Sequence, residues 1–403
     1  MKKTTVAIVK GPKNPNEKAV DGQVRKAVEL AGGLNDIVKQ GDSVLIKPNL
    51  CATWPLESGA ITDPRVCKTI ANMVRELGAK PIIGESAAIG VDTEEVIQQN
   101  GYGKLREEGY EVVDLKKKGT ETVKVPVPKG KSMKEVVLPR AVVDADVIIS
   151  VPKMKTHDQT FVTLSLKNLK GMMPDTFKRK FHHSIGVFQG CADLATVARP
   201  ALTVVDGIIA MEGLGPVMGE PVEMDLIIAG KDLVAVDAVT CAVMGFEPMG
   251  DGCIRVAAQS GIGTADLNRI EVVGEPIAKV KRGFKSAEEA MGEIPFPEGF
   301  QLLMDERTCT GCKLTVIEVF MDVLKQNQLG NAAGLKIVAG KLDKLPDVSK
   351  DKLLLVGACT AKYKKDGVYV EGCPPNNRDV CEGLAALGVD VFSGVARVEA
   401  LEE

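Results

Sequence analysis

Short apolar runs alternate with longer amphipathic stretches from the first residues onward. "TTVAIVKG" reads as a strand, "VRKAVELAGG" as a helix, "DSVLIKPNL" as a strand, "PRVCKTIANMVRELG" as a helix and "KPIIGES" as a strand. Strand, helix, strand, helix, strand is the pattern of a parallel α/β sheet. The helix over residues 64–77 carries its own punctuation: Asp63 as N-cap, Pro64 at the first helical position and Gly78 as a stop. A second alternating block runs through "EVVDL", "ADVIISVPKMK", "PALTVVDGIIAMEG" and "MDLIIAG" to the helical "DLVAVDAVTCAVMGF", whose apolar spacing predicts core packing.

Between residues 268 and 300 the alternation fades and Pro and Gly gather, which predicts a boundary. A new α/β pattern then starts at Gln301: a helix through "CKLTVIEVFMDVLKQNQ", strands at "LKIVAG", "KLLLVGAC" and "GVYVEGC", a helix over 377–387 and the run "VDVFSG". The expected fold is therefore α/β, with mostly parallel sheets flanked by helices over residues 1–300 and a smaller α/β domain over 301–403.

Composition narrows the class. The chain of 403 residues is 45% hydrophobic, 26% charged and 4% aromatic, as expected of a globular protein of two or three domains. A net charge of -3 and few aromatic residues argue against nucleic-acid binding. No uninterrupted apolar run reaches the roughly 18 residues of a spanning helix, and the N-terminus lacks the apolar core of a secretory signal. A cytoplasmic protein without membrane insertion is expected.

Ten cysteines in such a chain suit thiols or metal ligands better than a disulfide framework. Cys309 and Cys312 form a C-x-x-C pair at the start of a predicted helix. Cys359 and Cys373 each end a predicted strand, which puts them at the carboxyl edge of a parallel sheet, where α/β folds bind ligands. Four thiolates meeting there suit zinc or an iron-sulfur cluster, and a single C-x-x-C pair favours the cluster. The glycines of "GAC" and "EGC" let the backbone approach an inorganic core closely. Cys381, inside the following helix, reads as a core thiol.

"CTGC", "GAC" and "GCPP", in that order, resemble the cluster-bearing flavodoxin-like domain of the nickel-iron hydrogenase small subunit and its relatives. The resemblance covers roughly the last hundred residues and implies a [4Fe-4S] cluster held by Cys309, Cys312, Cys359 and Cys373. This domain is shorter, and nothing matches the ligands of the hydrogenase's additional clusters. The region from about residue 5 to 273 resembles the domain of unknown function 362 family, through "IKPNL", "VPKMKTH", "TLSLKNLKGM", "VVDGIIAMEGLGPVMGEP" and "DLVAVDAVTCAVMGFEP". That resemblance implies architecture more than reaction.

The chemistry of the long region has to come from its residues. Lys47 and Asn49 follow the apolar core of one strand, and Lys153 and Lys155 follow another, so all four are expected on one crevice. Asp206 and Gly207 end "LTVVDG" and add a carboxylate to the same edge. His157, Lys167 and Asn168 lie close in sequence, and such a cluster suits an anion: a carboxylate, a phosphate or an acidic cofactor. Lys155, His157 and Lys167 are the candidate acids, bases or nucleophiles; Lys47, Asn49, Lys153, Asn168 and Asp206 are the candidate ligand-binding groups. Lys170, Lys178 and Lys180 are expected at the surface. His182 and His183 point different ways on a helix, and the choice between them stays open. "GLGPVMG" fits neither a dinucleotide nor a P-loop fingerprint and reads as a turn-rich wall.

The expected function is that of a redox protein coupling a [4Fe-4S] cluster to an anionic small-molecule ligand, with a redox partner protein implied. Two other readings stand beside it: a non-redox isomerase or lyase with Lys/His bases and a structural cluster, and a non-enzymatic electron carrier. Zinc stands as the alternative metal.

Overall fold

The computed structural model describes residues 3–391 apart from 159, 182–184, 295, 305, 306, 309 and 376. The chain divides into two compact units, Met1–Gly292 and Glu293–Glu403. The strands of the first are β1 (Thr4–Lys10), β2 (Ser43–Pro48), β3 (Lys80–Glu85), β4 (Glu111–Asp114), β5 (Thr122–Pro126), β6 (Glu135–Pro139), β7 (Val147–Val151), β8 (Lys153–His157), β9 (Phe161–Thr163), β10 (Leu202–Glu212), β11 (Glu220–Gly230) and β12 (Ile270–Gly274).

One sheet runs in the order β12-β1-β11-β10-β7-β2-β3-β4, with β8 alongside β10 and β9 alongside β8. Pairing through β10, β7, β2, β3 and β4 is parallel, as the alternation predicts. β11 departs from it: it runs antiparallel to both β10 and β1, because the segment between β10 and β11 holds "GLGPVMG" and no crossover helix. Two elements carry little sequence signal, the edge strand β12 beside β1 and the β5/β6 hairpin. Both are short, and β5 and β12 are largely exposed, without the continuous apolar run that marks the buried strands.

The helix Pro64–Glu76 is capped as its sequence predicts, with Asp63 Oδ1 accepting from the Arg65 N–H at 2.9 Å and Gly78 at φ 75° just beyond its end. The helix Leu233–Val243 is buried on all sides, so its apolar spacing does reflect core packing.

β7 and β8 are one strand interrupted by Pro152, which lacks an N–H and ends the ladder to β2. The Pro152 carbonyl still accepts from the Asp206 N–H at 2.9 Å, so the chain carries on beside β10. Two expectations change here. Lys153, Lys155 and His157 lie within a strand instead of following one, and Asp206 sits inside β10, which continues past Gly207 through a register shift to Glu212.

The second unit holds β13 (Gln301–Leu303), β14 (Lys336–Ala339), β15 (Leu353–Val356) and β16 (Val368–Val370), all parallel and in that order. The helices Thr310–Lys325 and Asn377–Ala385 pack on it around Phe300, Val316, Phe320, Leu354 and Leu384. The run "VDVFSG" falls partly outside the described residues; its start contributes Val389 and Val391 to the core.

Candidate functional site

A seam of buried polar groups follows the carboxyl ends of β2, β3 and β7 and continues along β8. Lys47 Nζ is 2.8 Å from Glu85 Oε2, 2.6 Å from the Pro48 carbonyl and 3.2 Å from Asn168 Oδ1. Burial pulls the Lys47 pKa down, and the Glu85 carboxylate opposes it. Glu85 also accepts from the N–H groups of Leu50 and Ser86. Asn168 donates to the Lys47 carbonyl at 3.0 Å and to Ser150 Oγ at 3.2 Å, which ties β2 to β7. The Asn49 amide donates to Asn168 Oδ1 at 3.3 Å, while among the described residues nothing donates to the buried Asn49 Oδ1.

Next along the seam, Lys153 Nζ meets Asp206 Oδ2 at 2.7 Å, and the same oxygen accepts from the Asp63 N–H at 2.8 Å. Lys155 Nζ donates to the Ala60 carbonyl at 2.6 Å and lies 3.3 Å from Cys51 Sγ. The structure thus brings Lys47, Asn49 and Asn168 together, and separately Lys153 and Asp206. Lys47, Lys155 and Asp206 are 0% exposed and Lys153 and Asn168 2%, so these groups form a closed interior network and do not line an open crevice.

The seam reaches a cavity at His157. Its Nδ1 lies 2.8 Å from Asp158 Oδ1, and its Nε2 lies 3.0 Å from Lys167 Nζ. With Nδ1–H donating to the carboxylate, Nε2 is left to accept from the lysine. Burial, helped by the Lys167 charge and opposed by Asp158, drives the His157 pKa down to about 3. Lys167 and Asn168 are aimed by the turn Ser165–Asn168, whose first N–H groups, Ser165 and Leu166, are held by Asp237 at 2.8 and 2.9 Å. A cleft of about 220 Å³ opens here, lined by His157, Asp158, Phe161, Phe188, Arg255 and Glu288 among others. Phe161 pairs with His157 across β8 and β9 and adopts φ 64°, a strained setting for a bulky residue.

"GLGPVMG" packs against β8 as a wall: Thr156 Oγ1 donates to the Gly213 carbonyl at 2.9 Å, and the Asp158 N–H to the Gly215 carbonyl at 3.1 Å. Lys180 is exposed and Lys170 half-buried, whereas Lys178 reverses the surface expectation. It is 2% exposed, with Nζ donating to the Ser86 carbonyl, Ser86 Oγ and the Ala87 carbonyl, and its pKa falls to about 7 through burial. His182 and His183 lie outside the described residues. Sequence reasoning passed over Glu85, Asp158, Asp237 and Arg255. For Glu85 a signal existed, since a carboxylate closes the apolar run "KPIIG".

In the second unit, Cys359 follows β15 and Cys373 follows β16 on neighbouring parallel strands. Cys312 is buried in the first turn of the helix Thr310–Lys325. The segments bearing these cysteines are joined by the Ala358 N–H donating to the Gly372 carbonyl at 2.7 Å and by Thr315 Oγ1, in the helix that carries Cys312, donating to the Pro375 carbonyl at 3.3 Å. Gly357, at φ 88°, lets the backbone lie close against Cys312, where a Cβ would come within 3.0 Å of its sulfur. Among the described residues no group of three or more His, Cys, Asp and Glu side chains is arranged to hold a single metal ion. Cys309 lies outside the described residues. Cys381 is 4% exposed among Val380 and Leu384 in the core.

A family profile described as Domain of unknown function (DUF362) matches residues 44–242, the span that holds Lys47, Lys153, His157, Lys167 and Asp206. A curated relative, a thylakoid-associated protein of Synechocystis sp., is 33% identical over 230 residues, covering 56% of this chain and 70% of the relative. Among solved structures, the lactate racemase apoprotein from Thermoanaerobacterium thermosaccharolyticum aligns over 96% of this chain and 99% of its own, with a TM-score of 0.39 and 12% identity. Among the described residues no helix is long and apolar enough to cross a membrane.

Proposed function

The chain belongs to the domain of unknown function 362 family, and from that premise we propose that it is an oxidoreductase-type iron-sulfur protein, in which a [4Fe-4S] cluster in the second unit serves chemistry on an anionic small molecule held by the first. The observation that supports the cluster is that Cys359 and Cys373 follow neighbouring parallel strands, tied by the Ala358 N–H to the Gly372 carbonyl, while the glycine backbone at 357 lies close against the sulfur of Cys312 in the adjoining helix. Cys309 precedes Cys312 by three positions, the spacing that lets two thiolates reach one group. The same four cysteines are those implied by the resemblance to the nickel-iron hydrogenase small subunit. When bound, the cluster supplies one-electron transfer, with a redox partner protein as the other station. Thiols kept reduced for this purpose favour a cytoplasmic location.

In the first unit the charges of Lys47 and Lys153 are matched by Glu85 and Asp206, so an anionic ligand is left to the groups at the cleft. Arg255 supplies a guanidinium there, and Lys167 backs His157. His157 stays neutral with its proton on Nδ1 facing Asp158, which leaves Nε2 to accept a hydrogen bond from Lys167 and hold that lysine beside the cleft.

Anaerobic purification with iron and acid-labile sulfide analysis, followed by electron paramagnetic resonance after dithionite, tests this reading. A reduced-cluster signal with near-stoichiometric iron and sulfide is expected. A colourless, iron-free protein with stoichiometric zinc overturns it.

The line Asp158, His157, Lys167 also favours a second reading, proton-transfer chemistry with a structural cluster. Turnover that survives replacement of a cluster cysteine, with folding intact, decides for it.

A further inference from the structure

Three buried lysines of the first unit face carboxylates: Lys47 at 2.8 Å from Glu85, Lys153 at 2.7 Å from Asp206 and Lys178 at 3.5 Å from Asp175. Lys155, 0% exposed, is different. Among the described residues it has no carboxylate partner; Nζ meets the Ala60 carbonyl at 2.6 Å and Cys51 Sγ at 3.3 Å. A buried ammonium facing a thiol and a carbonyl is poorly compensated, which favours the neutral amine, a nucleophile. Burial lowers the Lys155 pKa accordingly.

Access to solvent singles out the same pair. Cys67, Cys191 and Cys241 are 0% exposed and Cys253 3%, whereas Cys51 is partly exposed at the start of the loop leaving β2. A small oxidant therefore reaches Cys51 before the other first-unit cysteines, with the Lys155 amine waiting behind it.

We propose that Cys51 and Lys155 form a peroxide-responsive covalent modification site, in which oxidation of the thiol is followed by closure of an S–N bond between Cys51 Sγ and Lys155 Nζ. In the first step the sulfur attacks hydrogen peroxide. The O–O bond breaks, an S–O bond forms, the sulfur is oxidised to sulfenic acid and the remaining peroxide oxygen leaves as water. In the second step the Nζ lone pair attacks sulfur, the S–O bond breaks, and the departing hydroxide takes a proton from Nζ and leaves as water. An added thiol reverses the link by attacking sulfur and returning the amine, and a second thiol resolves the mixed disulfide.

The bond would lock the loop after β2 onto β8. That loop carries Asn49 to Asn168, Thr62 to the Val151 carbonyl and the Asp63 N–H to Asp206, so the link fixes one wall of the seam and removes the Lys155 amine from it.

The test treats the full-length protein with graded hydrogen peroxide, blocks remaining thiols, digests it and maps peptides by mass spectrometry. The expected result is a peptide joining the Cys51 and Lys155 segments, two hydrogens lighter than the sum of its parts and lost after thiol reduction. Lys155→Arg and Cys51→Ser should each abolish it, and in Lys155→Arg the Cys51 sulfenic acid should persist and be trapped by dimedone. The wild-type map decides even if a variant fails to fold: Cys51 passing to sulfinic acid with no joined peptide at any peroxide level overturns the proposal.

Discussion

Lys47 Nζ and Glu85 Oε2 sit 2.8 Å apart, with 0% and 3% of their side chains exposed. A buried ion pair adds little against an apolar replacement, but removing one partner strands a charge in the interior. Glu85→Gln should therefore destabilise the protein by about 3–5 kcal/mol. The double variant Lys47→Met/Glu85→Gln should lose less than that single, because no ammonium is left unpaired, even though the glutamine's one carbonyl oxygen keeps only one of the two N–H groups, Leu50 and Ser86, that the two carboxylate oxygens hold. Urea unfolding of the three proteins measures this, and a Glu85→Gln protein within about 1 kcal/mol of wild type would contradict it.

Gly171 covers that pair. A Cβ there would strike Glu85 Oε1 and come within 2.6 Å of Lys47 Nζ, while the Gly171 carbonyl holds the Ser86 N–H at 2.9 Å. Gly171→Ala should cost about 1–3 kcal/mol. The control is Gly22→Ala in the exposed face of helix Glu17–Leu30, where a Cβ meets nothing within 4 Å. It should gain about 0.5–1 kcal/mol. Equal and opposite thermal shifts are not required; equal signs would refute the assignment of Gly171 as a cover.

Periodicity and capping made the α/β class readable in advance, because the strands β2, β3 and β7 are continuous apolar runs and Asp63 caps where its position says it should. The antiparallel β11 escaped because strand direction is decided by what connects two runs, and "GLGPVMG" carries no helix signal to count. Lys47, Lys153 and Lys155 stood out as charges after apolar runs, but their burial did not, since it depends on partners far away in the chain. Glu85 and Asp206 lie 38 and 53 residues from their lysines. Local pattern cannot supply such pairings.

His157 and Asp251 should give opposite pH dependences that offset each other. The His157 pKa drops from 6.5 to about 3, so its neutral form contributes fully above the unfolded value and stability falls as pH goes from 6.5 toward 3. Burial raises the Asp251 pKa from 3.8 to about 7, so the folded state binds the extra proton and stability falls as pH rises through the same window. Each slope is at most about 1.4 kcal/mol per pH unit. His157→Asn should leave stability falling more steeply with rising pH between 4 and 7, and Asp251→Asn should leave it rising, both relative to wild type. Denaturant midpoints at several pH values read the slopes, and two variants with parallel profiles would reject the opposition.

The cysteines of the second unit separate by position. Cys359 and Cys373 stand in half-buried loops past the carboxyl ends of β15 and β16, whereas Cys381 is packed between Val380 and Leu384. Under the cluster reading, Cys359→Ser and Cys373→Ser should each lose most of the iron and sulfide of anaerobically purified protein, because a hydroxyl is a far poorer ligand than a thiolate. Cys381→Ser should keep both and instead lose about 1–2 kcal/mol of stability from a buried hydroxyl. Metal analysis paired with thermal unfolding distinguishes a ligand from a core thiol. Iron that survives Cys359→Ser and Cys373→Ser, or disappears equally in Cys381→Ser, would remove the strand-end cysteines as the ligand set.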